Sequence, residues 1–140
     1  AVQYCHEQKI CHFDIKSENI LYDGKLYLAD FGSSHDMNEK ILNYMCELIT
    51  PIYRPPELFI LENTKDADYT SDMWSVGCVI GEMVKGNYLF NNRTEVLNFK
   101  EVKKFDQEIN EFLNKFLKIE KKERITATDA LLCIPNIPNI

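Results

Sequence analysis

Between His12 and Asn19 the chain places a carboxylate (Asp14), an ammonium (Lys16) and an amide (Asn19) within six residues, and a second carboxylate, Asp30, follows eleven residues after the amide. These are the groups that phosphoryl transfer from a nucleoside triphosphate requires. An attacking hydroxyl needs a proton acceptor, the moving phosphoryl group needs a cation, and Mg²⁺ needs hard oxygen ligands that hold it against the phosphates. Asp14 can accept the proton, Lys16 can supply the cation, and Asn19 with Asp30 can supply the ligands. Mg²⁺ takes only one or two protein oxygens and fills its octahedron with water and phosphate, so one carboxylate and one amide suffice.

The stretch His12-Phe13-Asp14-Ile15-Lys16-Ser17-Glu18-Asn19 resembles the catalytic loop (12–19) of eukaryotic protein kinases, and Asp30-Phe31-Gly32 is similar to their magnesium-binding triplet. The resemblance implies Asp14 as base, Lys16 on the γ-phosphate of ATP, Asn19 and Asp30 on Mg²⁺, and Glu18 and Leu21 at the nucleotide. His12 would brace the loop. Leu21 would floor the adenine pocket, although an ordinary core leucine reads equally well there. Thr50-Pro51-Ile52-Tyr53-Arg54-Pro55-Pro56-Glu57 resembles the end of an activation segment (30–57) of the CMGC group, the cyclin-dependent, MAP, glycogen-synthase and CDC-like kinases, with Pro55 in place of the usual alanine. By that resemblance Thr50 would hydrogen-bond Asp14 and Lys16, a mark of Ser/Thr rather than Tyr kinases, and Arg54 would shape the pocket for the residue after the phosphoacceptor. The similarity leans toward the CDC-like branch.

The elements that must position these residues can be read in order. Ala1 to Gln8 reads as the end of a helix, and Lys9-Ile10-Cys11 as an extended run into His12. Ile20-Leu21-Tyr22 and Lys25 to Ala29 are β-rich runs around Asp23-Gly24, a dipeptide suited to a two-residue type I′ hairpin; the hairpin would bring Asn19 and Asp30 to one end. From Ser33 to Ile49 the pattern is polar and aperiodic.

Thr70 to Lys85 reads as a central helix (70–85). One apolar stripe runs through Met73, Val76, Ile80 and Met83 and a second through Trp74, Cys78 and Val79, with Thr70 or Ser71 as cap and Gly86 as stop. A helix apolar nearly all round is buried. Its Asp72 would accept hydrogen bonds from the backbone of His12 and Phe13 if the resemblance holds, or would serve only as a first-turn acid favoured by the helix dipole. Leu89 to Phe99 reads as a loop with a short helix, and closing helices (106–133) follow. Phe105, Ile109, Phe112, Leu113, Phe116 and Leu117 recur there at helical spacing as a core face, and Thr126 with Asp129 can form a capping box. Lys122-Glu123-Arg124-Ile125-Thr126 resembles the closing kinase motif in which Arg124 pairs with Glu57; breaking such a buried pair costs about 3 to 5 kcal/mol. No further helix is expected in the last residues.

The composition, 45% hydrophobic and 11% aromatic over 140 residues, is that of one folded domain. A net charge of -6 argues against nucleic acid or an anionic membrane as partner. Five scattered cysteines read as reduced thiols, which places the protein inside the cell, in cytoplasm or nucleus. No stretch is apolar for long enough to span a bilayer. Cys5-His6 and Cys11-His12 pair metal-binding types, but their intervals match no common zinc signature.

The expectation is therefore an α+β, mostly helical kinase carboxy-terminal lobe with a short β-hairpin at the catalytic loop. The 140 residues carry no glycine-rich loop, no strand lysine and no helix glutamate to pair with it, so the amino-terminal lobe is absent from them. The function expected is transfer of the γ-phosphate of ATP to Ser or Thr of a protein substrate, with the fragment alone inactive; the alternative is a pseudokinase or scaffold. Phe13 stands where these kinases usually carry arginine, Glu47 where some carry a regulatory tyrosine, and Met45 about where others carry a phosphothreonine. That suggests control without phosphorylation of the activation segment; a regulatory protein is counted among the partners such a kinase could have.

Overall fold

A computed structural model describes residues 1–40, 45–60 and 66–134 of the chain. The end of the chain after Ile134, expected to hold no helix, lies outside the described residues, as does the Met45 side chain. Helix α1 (Val2–Glu7) leads through a left-handed turn at Lys9 (φ 64°) into β1 (Ile10–Cys11). Strands β2 (Ile20–Tyr22) and β3 (Leu26–Leu28) follow, then β4 (His35–Asp36), α2 (Met45–Leu48) and α3 (Glu57–Ile60). The helical remainder comprises α4 (Tyr69–Lys85), α5 (Arg93–Leu97), α6 (Gln107–Phe116) and α7 (Ala127–Leu132). The class is α+β. Among the described residues no helix is long and apolar enough to cross a membrane.

Helix α4 is the axis of the core. Met73, Trp74, Cys78 and Val79 are buried on it and join Tyr53, Phe90, Val96, Leu113, Phe116 and Leu117 in one cluster. Full burial of such a side chain stabilises by about 1.5–3 kcal/mol. Trp74 stacks on Phe90 with ring centroids 5.8 Å apart and meets Phe99 edge-on. Gly77 lets α6 come close: a Cβ there would lie 2.7 Å from Phe116 Cβ and 2.9 Å from Leu117 Cδ2.

The start of α4 corrects the expected cap. Asp68, not Thr70 or Ser71, is the N-cap: its carboxylate accepts from Thr70 N–H at 2.8 Å, and Asp68 N–H donates to the Ser71 hydroxyl. A carboxylate wins because it complements the helix dipole and also takes Lys121 Nζ at 2.9 Å, which a hydroxyl could not pair with as an ion. Gly86, at φ 74°, closes the helix as expected. The stripe of Met73, Val76 and Ile80 runs out of the core at Met83, which is 69% exposed. There the helix borders an open groove with Leu26, Tyr27 and Leu28 instead of a packed neighbour.

The hairpin turn is also corrected. Strands β2 and β3 pair antiparallel, Ile20 with Leu28 and Tyr22 with Leu26, so three residues make the loop. Only Gly24 has positive φ, 71°, whereas a type I′ turn needs it at both central positions. With Lys25 added to the loop, Asp23 keeps an ordinary conformation, and its N–H donates to Lys25 O at 3.1 Å. Strand β1 pairs with β4, Cys11 opposite His35. At α7, Thr126 caps as expected by accepting from Asp129 N–H at 3.1 Å, but its hydroxyl also donates to Asp129 Oδ2 at 2.8 Å, so that carboxylate closes on the hydroxyl rather than on Thr126 N–H.

Candidate active site

The loop after β1 is held from beneath by α4. Asp72, 1% exposed, accepts from His12 N–H at 2.8 Å on Oδ2 and from Phe13 N–H at 2.9 Å on Oδ1. Phe13 sits at φ 60°, a conformation that costs a bulky residue on the order of 1–3 kcal/mol and persists only where the surroundings over-determine it. Here the carboxylate beneath and the burial of the ring do so. His12 spans the two halves of the site: Nδ1 accepts from Asp14 N–H at 3.2 Å while Nε2 lies 3.0 Å from Ala29 O. The first bond fixes Nδ1 as acceptor, so Nε2 carries the proton and donates to Ala29. That ties the loop to the residue before Asp30.

Asp14 is nearly enclosed and heavily donated to. Oδ1 accepts from the Thr50 hydroxyl at 2.7 Å, and Oδ2 takes Lys16 Nζ at 2.7 Å and Asn19 Nδ2 at 3.2 Å. Burial alone would raise its pKa. The Lys16 ammonium, the Thr50 hydroxyl and the Asn19 amide outweigh it and hold the carboxyl below the usual range. Lys16 Nζ is also 3.2 Å from Thr50 Oγ1, so Thr50, Asp14 and Lys16 form one triangle.

Asn19 is fixed by two bonds from Nδ2, to Asp14 O at 2.8 Å and to Asp14 Oδ2, which leaves Oδ1 as the oxygen available to a metal. Its own carbonyl accepts from Ala29 N–H at 2.8 Å, so the foot of the hairpin sets Asn19 beside the chain that leads into Asp30. Asp30 adopts the left-handed region (φ 59°) and accepts from Gly32 N–H at 3.2 Å. One amide oxygen and one carboxylate are hard donors of the kind Mg²⁺ takes. Glu18 Oε2 lies 3.2 Å from Ser17 Oγ. Leu21 stands 54% exposed on the hairpin rather than in the core.

The segment from Thr50 to Glu57 is anchored at several points. Arg54 donates from Nε and Nη2 to Ile49 O at 3.1 and 2.8 Å and lies over the Phe59 ring. Arg124 forms a two-pronged pair with Glu57, 2.6 Å on each prong, donates to Lys118 O and stacks over Trp74.

A model of the protein kinase domain family matches residues 1–133. The chain belongs to the protein kinase domain family. Kinase-type phosphotransfer is the chemistry of that family, with ATP, a divalent metal and protein substrates as its reagents.

Within this kinase domain, three residues of the site have tertiary partners that no sequence pattern pointed to. His6 Nε2 sits 2.9 Å from Asp72 Oδ2, joining α1 to the support of the loop across sixty-six positions. Glu82, near the end of α4, accepts from Tyr53 OH at 2.6 Å and from the Ser17 hydroxyl at 3.1 Å, and with burial it pushes the Tyr53 phenol up. Phe13 is 1% exposed in an apolar cluster with Cys11, Ile49, Leu58 and Ala67, against which Met37, Leu48 and Tyr69 pack. A lone histidine, glutamate or phenylalanine on a helix or loop has no periodic signature, so only the tertiary fold discloses these partners.

Proposed function

We propose that this chain is the carboxy-terminal part of an ATP-dependent protein serine/threonine kinase of CMGC type. The observation that carries the reading is the Thr50 hydroxyl set between Asp14 Oδ1 and Lys16 Nζ. In it Asp14 orients the Ser or Thr hydroxyl of a protein substrate and accepts its proton at a carboxylate oxygen. Lys16 exchanges its bond to Asp14 for the γ-phosphate, and Thr50 keeps Asp14 in place as it does so. Mg²⁺, held by Asn19 and Asp30, supplies neutralisation of phosphate charge when bound. Glu18 and Leu21 border the nucleotide, and Arg54 shapes the pocket for the residue after the acceptor. The setting is intracellular, in cytoplasm or nucleus.

The 140 residues supply one wall of the nucleotide site, so by themselves they transfer almost nothing, because rate in this chemistry comes from positioning on both sides of the phosphates. The test is transfer from ATP to Ser, Thr and Tyr peptides by the longest product of the gene that contains this chain. Asp14→Asn is expected to lower the rate by roughly 10²–10⁴-fold while the domain stays folded. A variant at full rate removes Asp14 from the mechanism, and transfer to Tyr alone overturns the Ser/Thr reading. A scaffold reading draws on Phe13; it gains if that product binds partners but transfers no phosphate.

A further inference from the structure

Among the described residues, one group outside the phosphotransfer site gathers nitrogen, sulfur and oxygen donors: His6 on α1, Cys11 on β1 and Asp72 on α4, with one donor atom of each within 4.8 Å of the others. We propose that this triad is a site for a thiophilic divalent cation, Zn²⁺ in the first place. The inference does not depend on the kinase reaction and uses none of the groups proposed to touch substrate, ATP or Mg²⁺, although Asp72 and His6 also support the loop that carries them.

The donor set is the argument. Imidazole, thiolate and carboxylate together suit zinc, while Mg²⁺ and Ca²⁺ want oxygen alone. Zinc–ligand distances of about 2.0–2.3 Å put tetrahedral donors roughly 3.3–3.6 Å apart. The His6–Asp72 contact of 2.9 Å would open by about half an ångström, and the Cys11 sulfur, within 4.8 Å of the other two donors, would close in. The surrounding shell is already built: Asp72 is oriented by the His12 and Phe13 N–H groups, and the His6 ring packs against Tyr69 at 4.9 Å. The access path runs past His6, whose side chain is 12% exposed, whereas Cys11 and Asp72 are closed off. On binding, the cation replaces the thiol proton of Cys11, which leaves to solvent, and it substitutes for the hydrogen bond between His6 and Asp72. Three elements that meet under the catalytic loop are then held by one ion.

The test is Co²⁺ titration of the metal-free 140-residue chain. One equivalent should bind with a thiolate-to-cobalt absorption band, and Zn²⁺ should displace it. Cys11→Val, which keeps an apolar group of similar size in the buried position, should lose the band. His6→Gln should weaken cobalt binding by ten-fold or more, and Cys133→Ser should leave it unchanged. Zinc should raise the melting temperature of the wild-type chain and not of Cys11→Val. No thiolate band in the wild-type chain overturns the proposal whatever the variants do, and so does a band that survives Cys11→Val.

Discussion

Asp14, the proposed proton acceptor, is made a weaker base by its own neighbours. With its pKa held below the ordinary carboxylate value, it is ionised throughout the neutral range, so in the proposed reaction its task would be orientation first and proton uptake only as the hydroxyl oxygen loses charge to phosphorus. The same shift is a stability statement. A carboxyl with a depressed folded pKa contributes stability that is complete above its unfolded value of about 3.9 and is lost as pH falls through the folded value. Denaturant unfolding of wild type against Asp14→Asn should therefore show a difference near pH 6 that shrinks as pH drops below about 4. A difference that stays constant to pH 2 would mean that Lys16, Thr50 and Asn19 do not act on the charge. Asp72 works through the backbone instead. Asp72→Ala leaves two buried N–H groups, those of His12 and Phe13, without an acceptor, at about 1–3 kcal/mol each. Calorimetry should register that loss, and amide exchange should report faster opening at those two residues before anywhere else in the loop.

At the scale of elements, α4 and α6 depend on a missing side chain. Gly77→Ala would drive a methyl to 2.7 Å from the Phe116 backbone-proximal carbon, which cannot swing aside as a side-chain tip could. Overpacking of that kind costs about 1–3 kcal/mol, outweighing the gain of up to about 1 kcal/mol in helix propensity, so the melting temperature should fall. A rise would show that α6 slides freely on α4. The helices themselves were legible in the sequence because a period of 3.6 survives local noise. The N-cap of α4 and the hairpin turn were not, since each hangs on single residues, whereas Gly86 and Thr126 cap where they were expected. Asp68, Thr70 and Ser71 are all able caps, and only the approach of Lys121 from fifty residues away favours the carboxylate. Asp23-Gly24 has the right chemistry for a tight turn, and one added residue dissolved the need for it. In the site, Asp14, Lys16 and Asn19 could be read together because one short loop carries them; Thr50 and Asp72 came from family resemblance alone, as no pattern in the residues brings either to that loop.

Among the described residues, the hairpin and the neighbouring part of α4 show apolar side chains to solvent. Leu21, Tyr22, Leu26 and Tyr27 on the hairpin and Met83 on α4 are exposed, and beside them a groove of about 400 Å³ runs between Val2, Val76, Ile80 and Leu131. Contiguous apolar surface of this extent marks a contact face. The isolated chain should accordingly enhance the fluorescence of a hydrophobic dye and self-associate at micromolar concentration; a dye-silent monomer would contradict it. The surroundings of Phe13, by contrast, are closed by hydrocarbon. A guanidinium in that position would hold its partner by charge, with a strength tuned by ionic strength and cancelled when a phosphatase removes the anion. Phe13, Ile49 and Leu58 answer to neither. Their contact is indifferent to salt and has no covalent off-switch, and because hydrophobic association weakens on cooling, this junction between the loop and the segment beyond it should loosen at low temperature.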